Sequence, residues 1–384
     1  MLKGEIINGY VILQDFTTAG GGLSKWTFAR KGEKEYFIKE FLSPKYPTET
    51  SPGSPKSKER KKQECEKFEN HHKNLMKQIN ERCGVGGNLV VTLDFFRVGS
   101  TYYKVTEKID VASLSPKEIY ALPLPNKILI LKTIAHSLNI LHKAGIVHGD
   151  LKPENVLIKQ TRLNYYTTKL IDFDNSYFSG NPPELSEEVV GDMVFYSPEL
   201  ARYIQGKENP EKLTTQSDIF ALGLLYCIFL QGELPDFPKK YAYPCLAVNE
   251  GKELKLIDAK LPKKLKKMVN AMLAPSPTER PTAEEIFETL KNLDLKDDDE
   301  LVKVPERKSF VETYWEEKEK KEAESKSSKL KMTFSKKKEK TTEETEASLE
   351  LEMKKFEEAM KIIDEMTGVS ESKLRGKGLK IGKK

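Results

Sequence analysis

Cysteine is scarce in this chain. The four thiols, Cys65, Cys83, Cys227 and Cys245, stand far apart and form no CxxC pair. That scatter excludes a zinc ribbon and a disulfide scaffold, and it points to reduced thiols in a cytoplasmic protein. Histidine is nearly as rare, at five residues. The tandem His71-His72 has no third ligand in view, so packing and surface placement are expected rather than metal ligation. An excess of one charge is also missing: 64 basic against 59 acidic side chains leave only +5. Such a balance makes no case for a nucleic-acid partner or an anionic membrane surface. The longest apolar run, Ile219 to Leu230, is too short to cross a bilayer and reads as a buried helix. The opening MLKGEIINGYVILQDF has no long apolar core, so no secretion signal is expected.

What remains is 384 residues, 38% hydrophobic and 32% charged, enough for a two-lobed domain with a sizeable appendage. Two fragments carry the chemistry. HGDLKPENVLI, residues 148 to 158, puts the Asp150 carboxylate, the Lys152 ammonium and the Asn155 amide on a turn that ends in an apolar strand. LIDFD, residues 170 to 174, puts Asp172 and Asp174 directly after another apolar strand. A β-hairpin between the two would gather Asp150, Asn155 and Asp172 in one cleft. Phosphoryl transfer needs that set: a carboxylate facing the acceptor hydroxyl, and oxygen ligands for the Mg²⁺ that neutralises the phosphates.

Upstream, Tyr10 to Phe16, Trp26 to Arg30 and Tyr36 to Phe41 read as strands, with the glycine-rich TTAGGGLS between the first two. Residues 43 to 57 carry four prolines and read as an extended loop. A helix is expected over 58 to 81, with Cys65, Phe68, His72, Leu75, Met76 and Ile79 as its buried stripe. Asn88 to Arg97 and Thr101 to Lys108 make a strand pair, and a helix follows over 126 to 143.

The order Asp-x-Lys-Pro-Glu-Asn, a strand, then Asp-Phe resembles the catalytic and metal loops of eukaryotic-like serine/threonine protein kinases. GDMVFYSPE (191 to 199), SDIFALGLL (217 to 225) and PSPTERPTAEEI (275 to 286) resemble, in order, three later segments of the same family. The resemblance covers roughly residues 8 to 292 and implies an α+β bilobal fold, with a β-rich N-lobe over 1–110 and a helical C-lobe over 111–295. It implies ATP and Mg²⁺ as cofactors and a protein substrate. Asp150 would orient the acceptor hydroxyl, Lys152 would contact the transferring phosphoryl group, and Asn155 with Asp172 would hold the metal. Lys39 would reach the α- and β-phosphates, paired with Glu69 from the helix, with Glu66 as the alternative. Ala19, Gly20, Gly21 and Gly22 would lie over the phosphates. Thr106 would be the gatekeeper, and Glu107 to Asp110, including Ile109, would be the hinge that reads adenine. Asp218 would hold the catalytic-loop backbone, and Arg280 would pair with Glu199.

The departures from the family pattern are specific. Phe37 replaces the small residue facing adenine and Trp26 replaces a valine, which narrows the nucleotide pocket. Gly149 stands where many members have an arginine that holds a phosphorylated loop, and residues 175 to 196 contain no threonine. Asp174 replaces a glycine, and would either restrict rearrangement of the loop or add a metal oxygen. Two rival readings stand beside the kinase. HGD with IDFD also resembles the aminoglycoside- and choline-type phosphotransferases, which act on small molecules. The aromatic substitutions fit a kinase-shaped binding module without turnover.

Residues 296–384 form a charged tail with few aromatics, too polar for a core of its own. Leu349, Met353, Phe356, Met360 and Ile363 follow a 4-3-4-3 spacing, a short amphipathic helix. Ser325, Ser327, Ser328, Thr333, Ser335, Thr341 and Thr342 lie among lysines. They are either autophosphorylation targets that would attract a phosphopeptide-binding partner, or a solubilising spacer.

Overall fold

The computed structural model describes residues 2–18, 24–83, 87–109, 113–160, 166–183, 191–258 and 260–293. The chain divides into a unit of residues 1–318 and a second of 319–384. Every described residue belongs to the first, so the expected amphipathic helix and the serine- and threonine-rich stretch lie outside the described residues.

The chain begins with a hairpin, β1 (Ile6–Ile7) and β2 (Tyr10–Ile12). Its loop is Asn8-Gly9, both at positive φ, with Ile7 paired to Tyr10. An Asn-Gly pair accepts that geometry at low cost, and it matches the twist of the flanking strands. β3 (Ser24–Lys31) and β4 (Lys34–Phe41) follow, then helix α1 (Pro55–Asn80), β5 (Thr92–Val98) and β6 (Thr101–Glu107). The strands form one antiparallel six-stranded sheet in the order β1-β2-β3-β4-β6-β5. Because side chains alternate along a strand, each face of the sheet has its own core. Ile7, Tyr10, Ile12, Ala29, Ile38, Tyr103 and Val105 fill one face. On the other, Phe41, Phe95 and Tyr102 meet Cys65, Phe68 and Met76 of α1.

Helix α1 starts three residues earlier than its periodicity suggests. Ser54 caps it, accepting from the Ser57 N–H at 3.2 Å, and Pro55 occupies the first turn. Both are start signals, and proline at this position loses no hydrogen bond. The buried stripe is as expected: Cys65, His72, Leu75 and Ile79 are buried, with Phe68 and Met76 packed beside them.

The second lobe is helical. Its elements are α2 (Pro116–Ala121), α3 (Leu124–Lys143), β7 (Ile146–Val147), the hairpin β8 (Val156–Gln160) and β9 (Tyr166–Leu170), and β10 (Tyr177–Phe178). Then come α4 (Pro198–Ile204), α5 (Gln216–Gln231), α6 (Pro244–Asn249), α7 (Lys263–Met272) and α8 (Ala283–Lys291). Every residue of α5 from Ser217 to Leu230 is buried, which explains why this helix lacks an amphipathic pattern. No helix among the described residues is long and apolar enough to cross a membrane.

One buried ion pair clamps the helical lobe. The Arg280 guanidinium donates to Glu199 through Nη1 at 2.7 Å and Nη2 at 2.9 Å, and both side chains are fully buried. Glu199 also accepts from the Ser217 hydroxyl, and Arg280 donates to the carbonyls of Ala274, Pro275 and Gln216. Burial alone would raise the Glu199 pKa. The Arg280 hydrogen bonds and charge outweigh it and hold the carboxyl below its ordinary 4.5. The carboxyl's folded pKa is therefore depressed, so its contribution to stability is complete above the ordinary carboxylate range and is lost as pH falls below it. Replacing Arg280 with Met strands a buried carboxylate. We expect a loss of roughly 3–5 kcal/mol in denaturant unfolding, shrinking as the pH is lowered toward 4 and Glu199 takes up a proton.

Candidate active site

The site grows from the turn after β7. Asp218, at the start of α5, accepts from the backbone N–H of His148 at 2.7 Å and of Gly149 at 3.1 Å, and His142 Nε2 lies 3.0 Å from the same carboxylate. One buried carboxylate thus fixes two successive peptide groups. The His148 ring continues the chain of contacts. Its Nδ1 accepts the Asp150 N–H at 3.3 Å, which leaves Nε2 to donate to the Ile171 carbonyl at 3.1 Å. Ile171 N–H in turn donates to the Asn155 carbonyl at 3.0 Å. These links, with Val156 paired to Leu170 across the β8–β9 hairpin, bring the two signature fragments together as expected.

Asp150 lies at the centre, with 9% of its surface exposed. Its carboxylate accepts from Lys152 Nζ at 2.7 Å, Asn155 Nδ2 at 3.0 Å and the Asp192 N–H at 3.3 Å. Burial raises its pKa, and the Lys152 charge opposes that rise without cancelling it. Lys152 is itself raised: burial would lower it, but Asp150 prevails, with a further contribution from Asp192. The arrangement gives a carboxylate of increased basicity beside a permanent cation.

The sheet contributes the other wall. Lys39 of β4 places Nζ 2.9 Å from both oxygens of Asp172 and 2.6 Å from Asp174 Oδ2. Burial would lower its pKa, yet the two aspartates raise it. The expected Lys39–Glu69 pair is not formed. Glu69 accepts from Lys73, one turn along α1, and from the Tyr102 hydroxyl at 3.5 Å, while Glu66 is exposed. The helix instead turns His72 inward, stacked on Phe95 at 5.1 Å. Burial pushes that imidazole down to about 3, so it is neutral.

Asp174 is half-buried and engaged by Lys39 and by Lys104 of β6, which ties the loop to the sheet. Lys104 is a participant that motif reading missed. In the sheet it lies directly opposite Lys39, and both are buried. Alternation along β6 was the one available signal, since it places Lys104 on the same face as Thr106.

Asp172 keeps a third of its side chain exposed and has φ +62°. Aspartate tolerates the left-handed region better than branched residues do. Asn155 spends its amide nitrogen on Asp150, donating to the main-chain carbonyl at 2.7 Å as well as to the side chain, so its oxygen is the atom that could hold a metal. One carboxylate and one amide oxygen fit Mg²⁺, which retains water and takes substrate phosphates as further ligands. Among the described residues no group of three or more His, Cys, Asp or Glu forms an all-protein cage.

Toward the expected nucleotide base, Phe37 and Trp26 stack on one another at 5.4 Å and 26°, with Phe28 edge-on to Phe37 at 6.1 Å. The register pairs Trp26 with Lys39 and Phe37 with both Phe28 and Thr106, so this aromatic group shares the face that carries Lys39. Glu107 accepts from Lys169 at 2.8 Å, and Ile109 is half-buried at the end of the described segment. Ala19, Gly20, Gly21 and Gly22, and Asp110 of the hinge, lie outside the described residues.

A curled antiparallel sheet over a helical lobe, with a sheet lysine facing two loop aspartates, defines the bilobal kinase class. A family model described as a protein kinase domain matches residues 55–290, and the chain belongs to that family. Calcium-dependent protein kinase 13 of Arabidopsis thaliana is 32% identical over 165 residues, which are 41% of this chain and 29% of that relative. The probable serine/threonine-protein kinase PknB of Lactococcus lactis is 31% identical over 151 residues, 38% of this chain and 22% of the relative. A calcium and calcium/calmodulin-dependent serine/threonine-protein kinase of Lotus japonicus is 29% identical over 171 residues, 41% of this chain and 29% of the relative. The matched part spans less than a third of the length of these curated relatives.

Gly149 is fixed by geometry as well as by composition. Its φ is +79°, and a Cβ there would lie 2.3 Å from the Asn175 carbonyl oxygen. Arginine is therefore excluded at this position by the backbone itself. Gly149→Ala should cost more than about 1 kcal/mol of unfolding free energy and displace the Asp150 turn. Thermal unfolding and activity read together check it, and an alanine variant as stable as the parent would contradict the geometry.

Proposed function

We propose that this chain is an ATP–Mg²⁺-dependent protein kinase that phosphorylates serine and threonine hydroxyls. The observation that carries this is the union, around Asp150, of Lys152 and Asn155 with the Lys39–Asp172 pair. The acceptor hydroxyl approaches Asp150, which orients it and takes its proton as the new O–P bond forms. The bond from the γ-phosphorus to the bridging oxygen breaks, and ADP leaves with that electron pair. Lys152 offsets charge on the transferring group, and Lys39 holds the α- and β-phosphates. Asn155 and Asp172 would hold Mg²⁺, which supplies neutralisation of the phosphate oxygens. Catalysis of this kind rests on positioning and fixed charge.

A protein acceptor is favoured over a small molecule by the segment beside Asp150. The Asp192 N–H lies on the Asp150 carboxylate, and the next residues lead through Ser197, which caps α4, to the Glu199–Arg280 clamp. A rigid platform leading away from the acceptor carboxylate suits an extended peptide. The four buried free thiols support a cytoplasmic setting. Autophosphorylation of the lysine-flanked serines and threonines of 325 to 342 belongs to the same reading, since a tethered segment meets its own active site at high effective concentration. Phosphates there would offer a docking site to a phosphopeptide-binding partner.

The test is intact-mass analysis of the full chain with ATP–Mg²⁺ and a generic basic protein, with choline and an aminoglycoside as competing acceptors. Phosphate is expected on protein and on the tail, and none on the small molecules. Asp172→Ala and Asp150→Ala should each abolish transfer while keeping the fold, and Asp150→Ala should still bind nucleotide. Wild-type turnover in either variant, or transfer to the small molecules alone, would overturn the reading.

A further inference from the structure

Two buried lysines face each other on adjacent strands of the sheet. Lys39 and Lys104 are directly opposed across β4 and β6, at 8% and 6% exposure. Like charges placed so repel, and burial forbids water from screening them. Asp174 resolves the conflict. One carboxylate oxygen takes Lys39 at 2.6 Å and the other takes Lys104. Helix α1, meanwhile, offers Lys39 no carboxylate among the described residues. Glu69 is turned to Lys73 and Tyr102, and the inward position is held by His72, packed among Phe41, Phe68 and Phe95.

We propose that Asp174 and Lys104 are the positioning residues that hold Lys39 on the nucleotide phosphates, a task that no side chain of α1 performs here. The proposal rests on the kinase reading above and adds how its phosphate anchor is set. Asp172 would share its oxygens with a bound metal. Asp174 then remains as the carboxylate that keeps Lys39 in place, and Lys104 holds Asp174 through its other oxygen. The anchor carboxylate and the metal carboxylate are two residues apart on one short loop, so they are positioned as a single piece. A shift of α1 leaves that piece intact, and the anchor is set without the helix acting as a lever.

The experiment uses the full chain and reads two quantities: steady-state transfer at varied ATP, and ATP–Mg²⁺ affinity by equilibrium binding. Asp174→Asn and Lys104→Met should each raise the ATP KM and weaken binding by about tenfold to a hundredfold, the scale of one lost charge-assisted hydrogen bond. Lys104→Arg should recover most of the loss. Glu69→Gln should shift both quantities less than about twofold, as for a partly exposed helical pair. If Asp174→Asn fails to fold, the double variant Asp174→Asn with Lys104→Met removes both charges, and it should fold while keeping the weak affinity. Full affinity in Asp174→Asn or in that double variant, or a Glu69→Gln effect as large as theirs, overturns the proposal. Wild type that binds ATP without transferring phosphate would overturn the kinase reading alone, because the binding series still ranks Asp174 against Glu69. Wild type that binds no ATP overturns both.

Discussion

Two ammonium groups buried side by side need a carboxylate between them, and this constraint governs how the loop after β9 faces the sheet. The sheet supplies two cations on one face, and the loop after β9 supplies two anions. Neither set is tolerable alone in a water-poor cleft: an unpaired buried charge costs several kcal/mol. Their union therefore fixes where the loop lies against the sheet. The same union places Asp172, with part of its carboxylate still open to solvent, at the edge of the cleft where a metal would be needed.

Asp218 plays the corresponding part in the helical lobe. It is anchored in α5, which is buried along nearly its whole length, so its position is as rigid as the core. By accepting two successive backbone N–H groups it determines the path of residues 148 and 149, and the positive φ of Gly149 lets the chain turn toward Asp150. The His148 ring then carries the constraint from Asp150 to Ile171. A core helix, a glycine turn and an imidazole ring thus align Asp150 with the loop that carries Asp172. No side chain in that chain of contacts needs to touch a substrate.

The grouping around Asp150 was legible in the sequence because its residues lie close together along the chain. Asp150, Lys152 and Asn155 share one turn, and the two apolar strands around them predict the hairpin. The roles of Asp218 and of the Glu199–Arg280 pair were legible through the order of later motifs. The partner of Lys39 was not. Choosing between Glu66 and Glu69 depends on the rotation of α1 about its axis, and helical periodicity fixes that only to within a side chain. His72, counted correctly as buried, occupied the position that a carboxylate was expected to fill. Asp174 was read as a substituted glycine because Lys104, the cation that requires it, belongs to a strand with no motif. The start of α1 was missed for a different reason. Ser54-Pro55 is a capping signal set inside a proline-rich stretch, and the prolines drew the reading toward loop.

The most direct test of this account is a crystal structure of the chain with a non-hydrolysable ATP analogue and Mg²⁺. The account predicts Lys39 Nζ on the α- or β-phosphate while it still touches Asp174, Lys104 still on Asp174, and the metal held by Asp172 and Asn155. Glu69 should remain on its own helix beside Lys73. A structure in which α1 rotates to bring Glu69 onto Lys39, with Asp174 released to solvent or to the metal, would contradict it.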